Sequence, residues 1–411
     1  MFSIKFIKNN RNLFYYGLVE AIAKGLNVLT VIFLASFSNL EVYGQIALLI
    51  TSELIFIELI LAGQQNTALR FIQKTKSNVD EVITQCSRNV FFIFTIIFIL
   101  FLILPSEIFL LIIEKDLKSE YLILLIGSFF MAIINLNLYR LRKEDKLTQY
   151  ASIRIVLQVL KFVLCIVCIN IFENSISYPI AVIGASFIAL FYAGIRWNVL
   201  SYIKKILHYK YDDKYIVFGF PLMIHALAGL LYTQLDKFML NSLSTVQDLA
   251  IYHFNITIGM MPFFIVNVAA LYYTPKIYSS ENYDYNAKKY LRIFLSISLL
   301  GSFLVSLLII FLLYPIILMF VPLEYSEGSA ILYGGSLLII LSCFASFSVY
   351  KATSLKKVHL IPVMTIVSMF ISIFLNYELI PIYGRIGAIG STLSAQLFFI
   401  ISTLLLLKRY E

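Results

Sequence analysis

Polar and apolar positions alternate along this chain on a long wavelength. Runs of about 20 apolar residues, each enough to cross a hydrocarbon core roughly 30 Å thick, are separated by short polar segments. Twelve such runs can be read, over 13–36, 42–63, 87–113, 121–139, 150–172, 177–197, 216–240, 248–273, 290–320, 328–350, 359–381 and 386–407. The pattern predicts an all-α polytopic membrane protein of twelve transmembrane helices. The ninth run is long and contains Pro315, which predicts a kink or a strong tilt there.

Composition removes the soluble alternatives. Only 13% of the 411 residues are charged, against roughly 25% in a soluble domain, and 60% are hydrophobic. The first apolar run is a full-length span with no small-residue cleavage site after it, which argues against a cleaved signal peptide. Cys86, Cys165, Cys168 and Cys343 form no disulfide framework. Cys165-x-x-Cys168 lies inside an apolar helix, where packing is the expected role and no metal or redox cofactor is implied.

Basic residues cluster in alternate loops. Lys5, Lys8 and Arg11 precede the first span, and Arg70, Lys74, Lys76 and Arg88 follow the second. Arg140, Arg142, Lys143 and Lys146 follow the fourth, and Arg196, Lys204, Lys205, Lys210 and Lys214 follow the sixth. Lys276, Lys288, Lys289 and Arg292, then Lys351, Lys356 and Lys357, and finally Lys408 and Arg409 continue the series; the opposite loops hold only Lys115, Lys118 and Arg385. Under the positive-inside rule both termini are cytoplasmic. The net charge of +9 reflects this bias and calls for no nucleic-acid partner. Every loop is too short for a soluble catalytic domain, so an enzyme is not expected.

Two echoes suggest an internal repeat. Glu-Val-Tyr43-Gly resembles Asp-Leu-Ala-Ile-Tyr252-His, and Val-Ile-Gly184-Ala-Ser resembles Ala-Ile-Gly390-Ser-Thr, at offsets of 209 and 206 residues. Six spans between copies give parallel repeats, with bundles over 1–198 and 216–411 joined by a basic linker, 199–215.

The chemistry lies in polar side chains within the spans, since each charge costs about 2.5–3.5 kcal/mol at mid-bilayer on insertion scales. Helical spacing puts Gly17, Glu20, Lys24 and Asn27 on one face of span one, and Arg154, Gln158 and Lys161 on one face of span five. His225, Gly229, Tyr232 and Asp236 share a face of span seven, beside Lys237. Span two carries Glu53 and Glu58, and span eight His253 and Asn255. Lys161 has no acid on its own helix, so it must meet an acid from another span, a wet cavity or an anionic substrate. Read together, the stripes describe a polar, positively biased cavity between two bundles. Lys24, Asn27, Arg154, Gln158, Lys161, Lys237 and Asn255 are the candidate substrate contacts, which would suit an anion such as a phosphate. Glu20, Glu53, His225 and Asp236 are the candidate coupling or counter-charge groups, and Gly219, Pro221, Gly229, Pro381 and Gly384 the candidate hinges.

Phe218-Gly-Phe-Pro221, His225-Ala-Leu-Ala-Gly229 and Asp236-Lys-Phe resemble the seventh span of bacterial polysaccharide-unit flippases, the Wzx group of the MOP exporter superfamily. Asn376-Tyr-Glu-Leu-Ile-Pro381-Ile-Tyr-Gly384-Arg-Ile-Gly387-Ala resembles the same group's loop before its last span, and Glu41-Val-Tyr43-Gly44 its first-hairpin turn. Lys237 stands where that group usually has arginine. The resemblance implies a flippase in the bacterial inner membrane that moves an undecaprenyl-diphosphate-linked oligosaccharide, for O-antigen or another surface polysaccharide, by alternating access. It further implies coupling to H+ or Na+ and work among membrane lipids alongside a polysaccharide polymerase and chain-length machinery; nothing in the sequence demands more than a monomer. A multidrug exporter or a peptidoglycan-precursor flippase would share the fold. A membrane polysaccharide polymerase would need a large outer loop that this chain lacks.

Overall fold

The computed structural model describes residues 11–74, 79–103, 117–144, 146–197, 211–278, 285–357 and 359–409. Every regular element in them is helical: α1 (Arg11–Phe37), α2 (Leu40–Leu61), α3 (Gln64–Lys74), α4 (Val79–Ile103), α5 (Lys118–Lys143), α6 (Leu147–Phe172), α7 (Ser177–Trp197), α8 (Lys214–Leu243), α9 (Val246–Gly259) and α10 (Phe263–Tyr278). After them come α11 (Tyr285–Leu308), a π-helical turn (Ile309–Leu313), α12 (Tyr314–Leu318), a 3-10 segment (Leu323–Gly328), α13 (Ser329–Ser354) and α14 (Leu360–Lys408). The surface inverts that of a soluble protein. Phe91, Phe92 and Leu100 on α4, Phe187, Phe191 and Ile195 on α7, and Leu300, Phe303 and Leu304 on α11 all point outward. Helices suit such a setting because they satisfy their own backbone groups where no water is at hand.

Among the described residues ten helices are long and apolar enough to cross a membrane, or eleven if the bent pair α9–α10 counts as one span. Twelve were expected, and the difference lies in α14, which carries the eleventh and twelfth runs as one element of 49 residues. At 1.5 Å per residue it would stretch about 73 Å, more than twice the hydrocarbon thickness. It turns instead at Gly384, whose φ of 52° and ψ of −131° lie outside the helical region and are open mainly to glycine. The eighth run was expected as one continuous span; it breaks by 45° between Gly259 and Phe263. Pro262 sits in the break, and lacking an N–H it cannot continue the helical ladder. The kink expected at Pro315 takes the form of the π-helical turn just before it, where the ladder widens to accommodate the missing donor.

Short polar residues start the helices that follow tight turns. Asn39 Oδ1 accepts the Val42 amide at 2.8 Å at the head of α2, and Thr245 Oγ1 accepts the Asp248 amide at 3.1 Å at the head of α9.

Packing divides the chain into two compact units. One comprises residues 45–230; the other comprises 1–44 and 231–411. The first span therefore groups with the second half of the chain, whereas the sequence grouping puts it with the first. In the 45–230 unit, α5, α6 and α7 pack closely, and α3 lies against α4 and α5. Backbone meets backbone closely at Gly63 and Gly219: a Cβ on Gly63 would stand 2.3 Å from the Gly219 carbonyl oxygen, and one on Gly219 would stand 2.9 Å from the Ala62 carbonyl oxygen. In the other unit α10, α11 and α13 enclose a core of Val266, Tyr273, Ile277, Leu291, Phe294 and Ile339.

Candidate functional site

Two buried polar clusters stand out, one within each unit. In the 45–230 unit Glu53 of α2 meets Lys161 of α6, whose Nζ lies 3.0 and 2.8 Å from the two carboxylate oxygens. The Tyr178 hydroxyl, on α7, donates to Oε2 of the same carboxylate, and the Tyr178 ring centroid is 5.1 Å from Nζ. Glu53 and Lys161 are only 3% and 6% exposed, so neither charge is solvated by bulk water. Gln158, one turn before Lys161, is buried as well. Three helices thus each contribute one group to a closed, charge-neutral knot.

In the other unit the acid is Asp236, on α8. Its Oδ2 accepts the Tyr252 hydroxyl of α9 and, at 3.4 Å, Thr392 Oγ1 of α14. Its Oδ1 accepts the Lys237 amide at 2.9 Å, with the Lys237 ammonium 3.9 Å away. That ammonium donates to Gln234 Oε1 at 2.6 Å. One turn earlier the Tyr232 hydroxyl donates to Gln396 Oε1 at 2.6 Å, which extends the polar seam between α8 and α14. The helical stripe Tyr232–Asp236 therefore faces a matching stripe, Thr392–Gln396.

The remaining candidates are distributed differently. Asn255 is fully buried; its amide nitrogen donates to the Ile251 and Tyr325 carbonyls, each at 2.9 Å, and its oxygen accepts the Tyr314 hydroxyl at 2.7 Å. Through those contacts Asn255 ties α9 to α12 and to the 3-10 segment. Lys24 and Asn27 are exposed on α1, with Lys24 Nζ 5.5 Å from the Phe263 ring centroid, and Glu20 and Arg154 are half-buried. The His225 side chain and the linker residues 199–210 lie outside the described residues. Gly384 is a true turn, whereas a Cβ on Gly229 would meet nothing within 4 Å. Pro221 and Pro381 lie inside helices α8 and α14.

The expectation of one positively biased gathering of lysines meets a specific physical answer. Lys161 has a carboxylate within its own unit and Lys237 has one beside it, because an unmatched buried ammonium is too costly to keep. Several partners were missed. Tyr178, Tyr252 and Thr392 look like ordinary belt and helix residues in the sequence; only the echo around Tyr43 and Tyr252 hinted that those positions carry structure. Tyr43 itself is fully buried and hydrogen-bonds His253 Nδ1 at 2.9 Å. Arg385, just past the Gly384 turn, binds Asp248 at 3.0 Å and Glu327 at 2.8 Å and so joins three turns at one end of its unit.

A model of the polysaccharide biosynthesis protein family matches residues 10–272. No curated protein matches the sequence. Among solved structures, the chain is similar to an inward-facing multidrug resistance MATE family transporter of the MOP superfamily, with a TM-score of 0.75 at 14% identity, covering 94% of each chain. It is similar to the lipid II flippase MurJ in an inward closed conformation, with a TM-score of 0.75 at 17% identity over 95% of this chain and 87% of that one. A MOP superfamily transporter from Pyrococcus furiosus gives 0.68 at 12% identity over 98% and 96%. At these identities the likeness shows the fold.

Proposed function

The chain belongs to the polysaccharide biosynthesis protein family, and from that membership we propose that it is a flippase. Its cargo is an undecaprenyl-diphosphate-linked oligosaccharide, moved across the bacterial inner membrane for O-antigen or another surface polysaccharide. The family match carries this reading, because the fold is shared by transporters of several cargoes. Two features support it. Buried ion pairs within the spans are costly and mark transport pathways more often than inert scaffolds. The fold neighbours are transporters and flippases, so a protein that moves its cargo fits better than one that polymerises it.

In this reading alternating access carries the sugar headgroup through a polar path while the lipid tail stays in the bilayer. Lys24, Arg154 and Lys237 would meet the diphosphate; Glu20 and Asp236 would answer the coupling ion, H+ or Na+. A drug exporter or a peptidoglycan-precursor flippase is the second reading, favoured by the equal TM-scores to one transporter of each kind.

The test is a deletion strain of the source organism. Loss of the gene is expected to remove surface polysaccharide and to accumulate the lipid-linked unit on the cytoplasmic side, with restoration by the wild-type gene. Unchanged surface polysaccharide with heightened sensitivity to cationic drugs would overturn the reading in favour of an exporter.

A further inference from the structure

The Glu53–Lys161–Tyr178 cluster is built like a site for a monovalent cation, except that the cation belongs to the chain. The ammonium sits against both oxygens of the carboxylate, at 3.0 and 2.8 Å, as a bound ion would, and does not hang from one of them. The Tyr178 hydroxyl completes the shell on Oε2, and the face of its ring offers π density to the same charge. An arginine would meet a carboxylate as a planar fork, whereas lysine brings a compact point charge on a flexible stem. Burial closes the site, with 3% of Glu53 and 6% of Lys161 exposed. Stability alone does not account for the arrangement. A buried pair loses in desolvation much of what it gains in attraction, and well-packed apolar residues of similar volume hold helices together equally well.

We propose that Glu53 is the carboxylate of a monovalent-cation seat that Lys161 fills from within, so that the 45–230 unit carries a tethered cation there and exchanges none. This deepens the transport reading by removing Glu53 from the groups that answer a coupling ion. The seat itself does not depend on that reading.

The experiment uses the purified full-length protein in detergent, without substrate, so a failure of the flippase assignment leaves it untouched. Thermal unfolding is followed while Na+, K+ or methylammonium replaces N-methylglucamine at constant ionic strength. Lys161→Ala is expected to melt below the wild type. It should recover, saturably, with at least one of these cations, by about 1–2 °C when the cation stands roughly tenfold above its Kd. Neither the wild type, whose seat is full, nor the Glu53→Gln/Lys161→Ala double variant, whose seat has lost its charge, should show that rise. A Lys161→Ala protein indifferent to all three cations would overturn the proposal, as would a double variant that responds equally. Where Lys161→Ala yields no folded protein without cation, the same comparison is read as folded yield after solubilisation in methylammonium. Recovery confined to the variant that keeps Glu53 supports the seat, and no recovery overturns it.

Discussion

Replacing Asp236 by asparagine separates charge from shape at the buried cluster of the unit formed by residues 1–44 and 231–411. The amide keeps one acceptor oxygen and nearly the same volume, but it removes the negative charge that three hydrogen bonds, the one from Thr392 being long at 3.4 Å, and a neighbouring ammonium now share. Bonds to a charged acceptor contribute about 1.5–3 kcal/mol and neutral ones about 0.5–1.5. The Tyr252 hydroxyl and the Lys237 amide, both aimed at the carboxylate, would therefore lose roughly 2 kcal/mol together. The Lys237 ammonium, 7% exposed, would also lose its acid, though at 3.9 Å that pair is open and Gln234 still holds the nitrogen at 2.6 Å. The total stays near the lower end of the roughly 3–5 kcal/mol that breaking a closed buried pair costs. Asp236→Asn is thus expected to insert and fold with a lowered Tm, while transport falls at least tenfold in a flippase-deletion strain at matched protein levels. Asp236→Asn/Lys237→Met should regain most of the stability and none of the transport. Wild-type export by Asp236→Asn would refute the reasoning, and so would recovery of export in the double variant, since either shows the charge to be only structural.

Three further substitutions test the surrounding structure. Asn255→Leu takes the 2.7 Å acceptor from the Tyr314 hydroxyl and the 2.9 Å donor from the Tyr325 carbonyl, leaving them only their mutual 3.3 Å hydrogen bond, and the two weakened groups should lower the unfolding temperature by a loss of about 1–3 kcal/mol in all. Gly384→Ala forces a side chain into a backbone conformation it rarely adopts, 3.2 Å from Asp248 Oδ2, at a cost of about 1–3 kcal/mol. It should reduce the folded yield, and an unchanged melting curve would contradict the turn. Arg385→Ala removes two ion pairs, but Glu327 is 61% exposed and the pairs are screened by salt, so a loss of only about 1 kcal/mol is expected. That loss should shrink in melts at high salt.

The sequence made the membrane character and the helix count nearly readable, because hydropathy over 20 residues is a strong local signal. Breaks were harder to locate. Pro315 announced its irregularity, yet Pro262 was absorbed into a continuous apolar run, because hydropathy cannot see a missing N–H. The acids and lysines were found, since any charge in a span is conspicuous, but their pairings were not. Lys161 lies 108 residues from Glu53, and Asp236 lies 156 from Thr392. No helical spacing connects such positions. The tyrosines that complete both clusters were hidden for another reason: among 27 tyrosines in a chain full of interfacial aromatics, nothing in the sequence distinguishes one aimed at a carboxylate. The helix-tying bonds of Asn255 were also illegible, because an amide that ties helices and one that binds a sugar look identical before their partners are known.

The central claim is transport of a lipid-linked oligosaccharide, and the most direct measurement is transbilayer movement in proteoliposomes. The purified protein would be reconstituted with an undecaprenyl-diphosphate-linked oligosaccharide placed in the inner leaflet, and its appearance in the outer leaflet followed by access to an added glycosidase. The wild type is expected to expose the substrate many times faster than empty vesicles, and Asp236→Asn no faster than them. Exposure at the empty-vesicle rate, from a protein that moves cationic drugs in the same vesicles, would contradict the account.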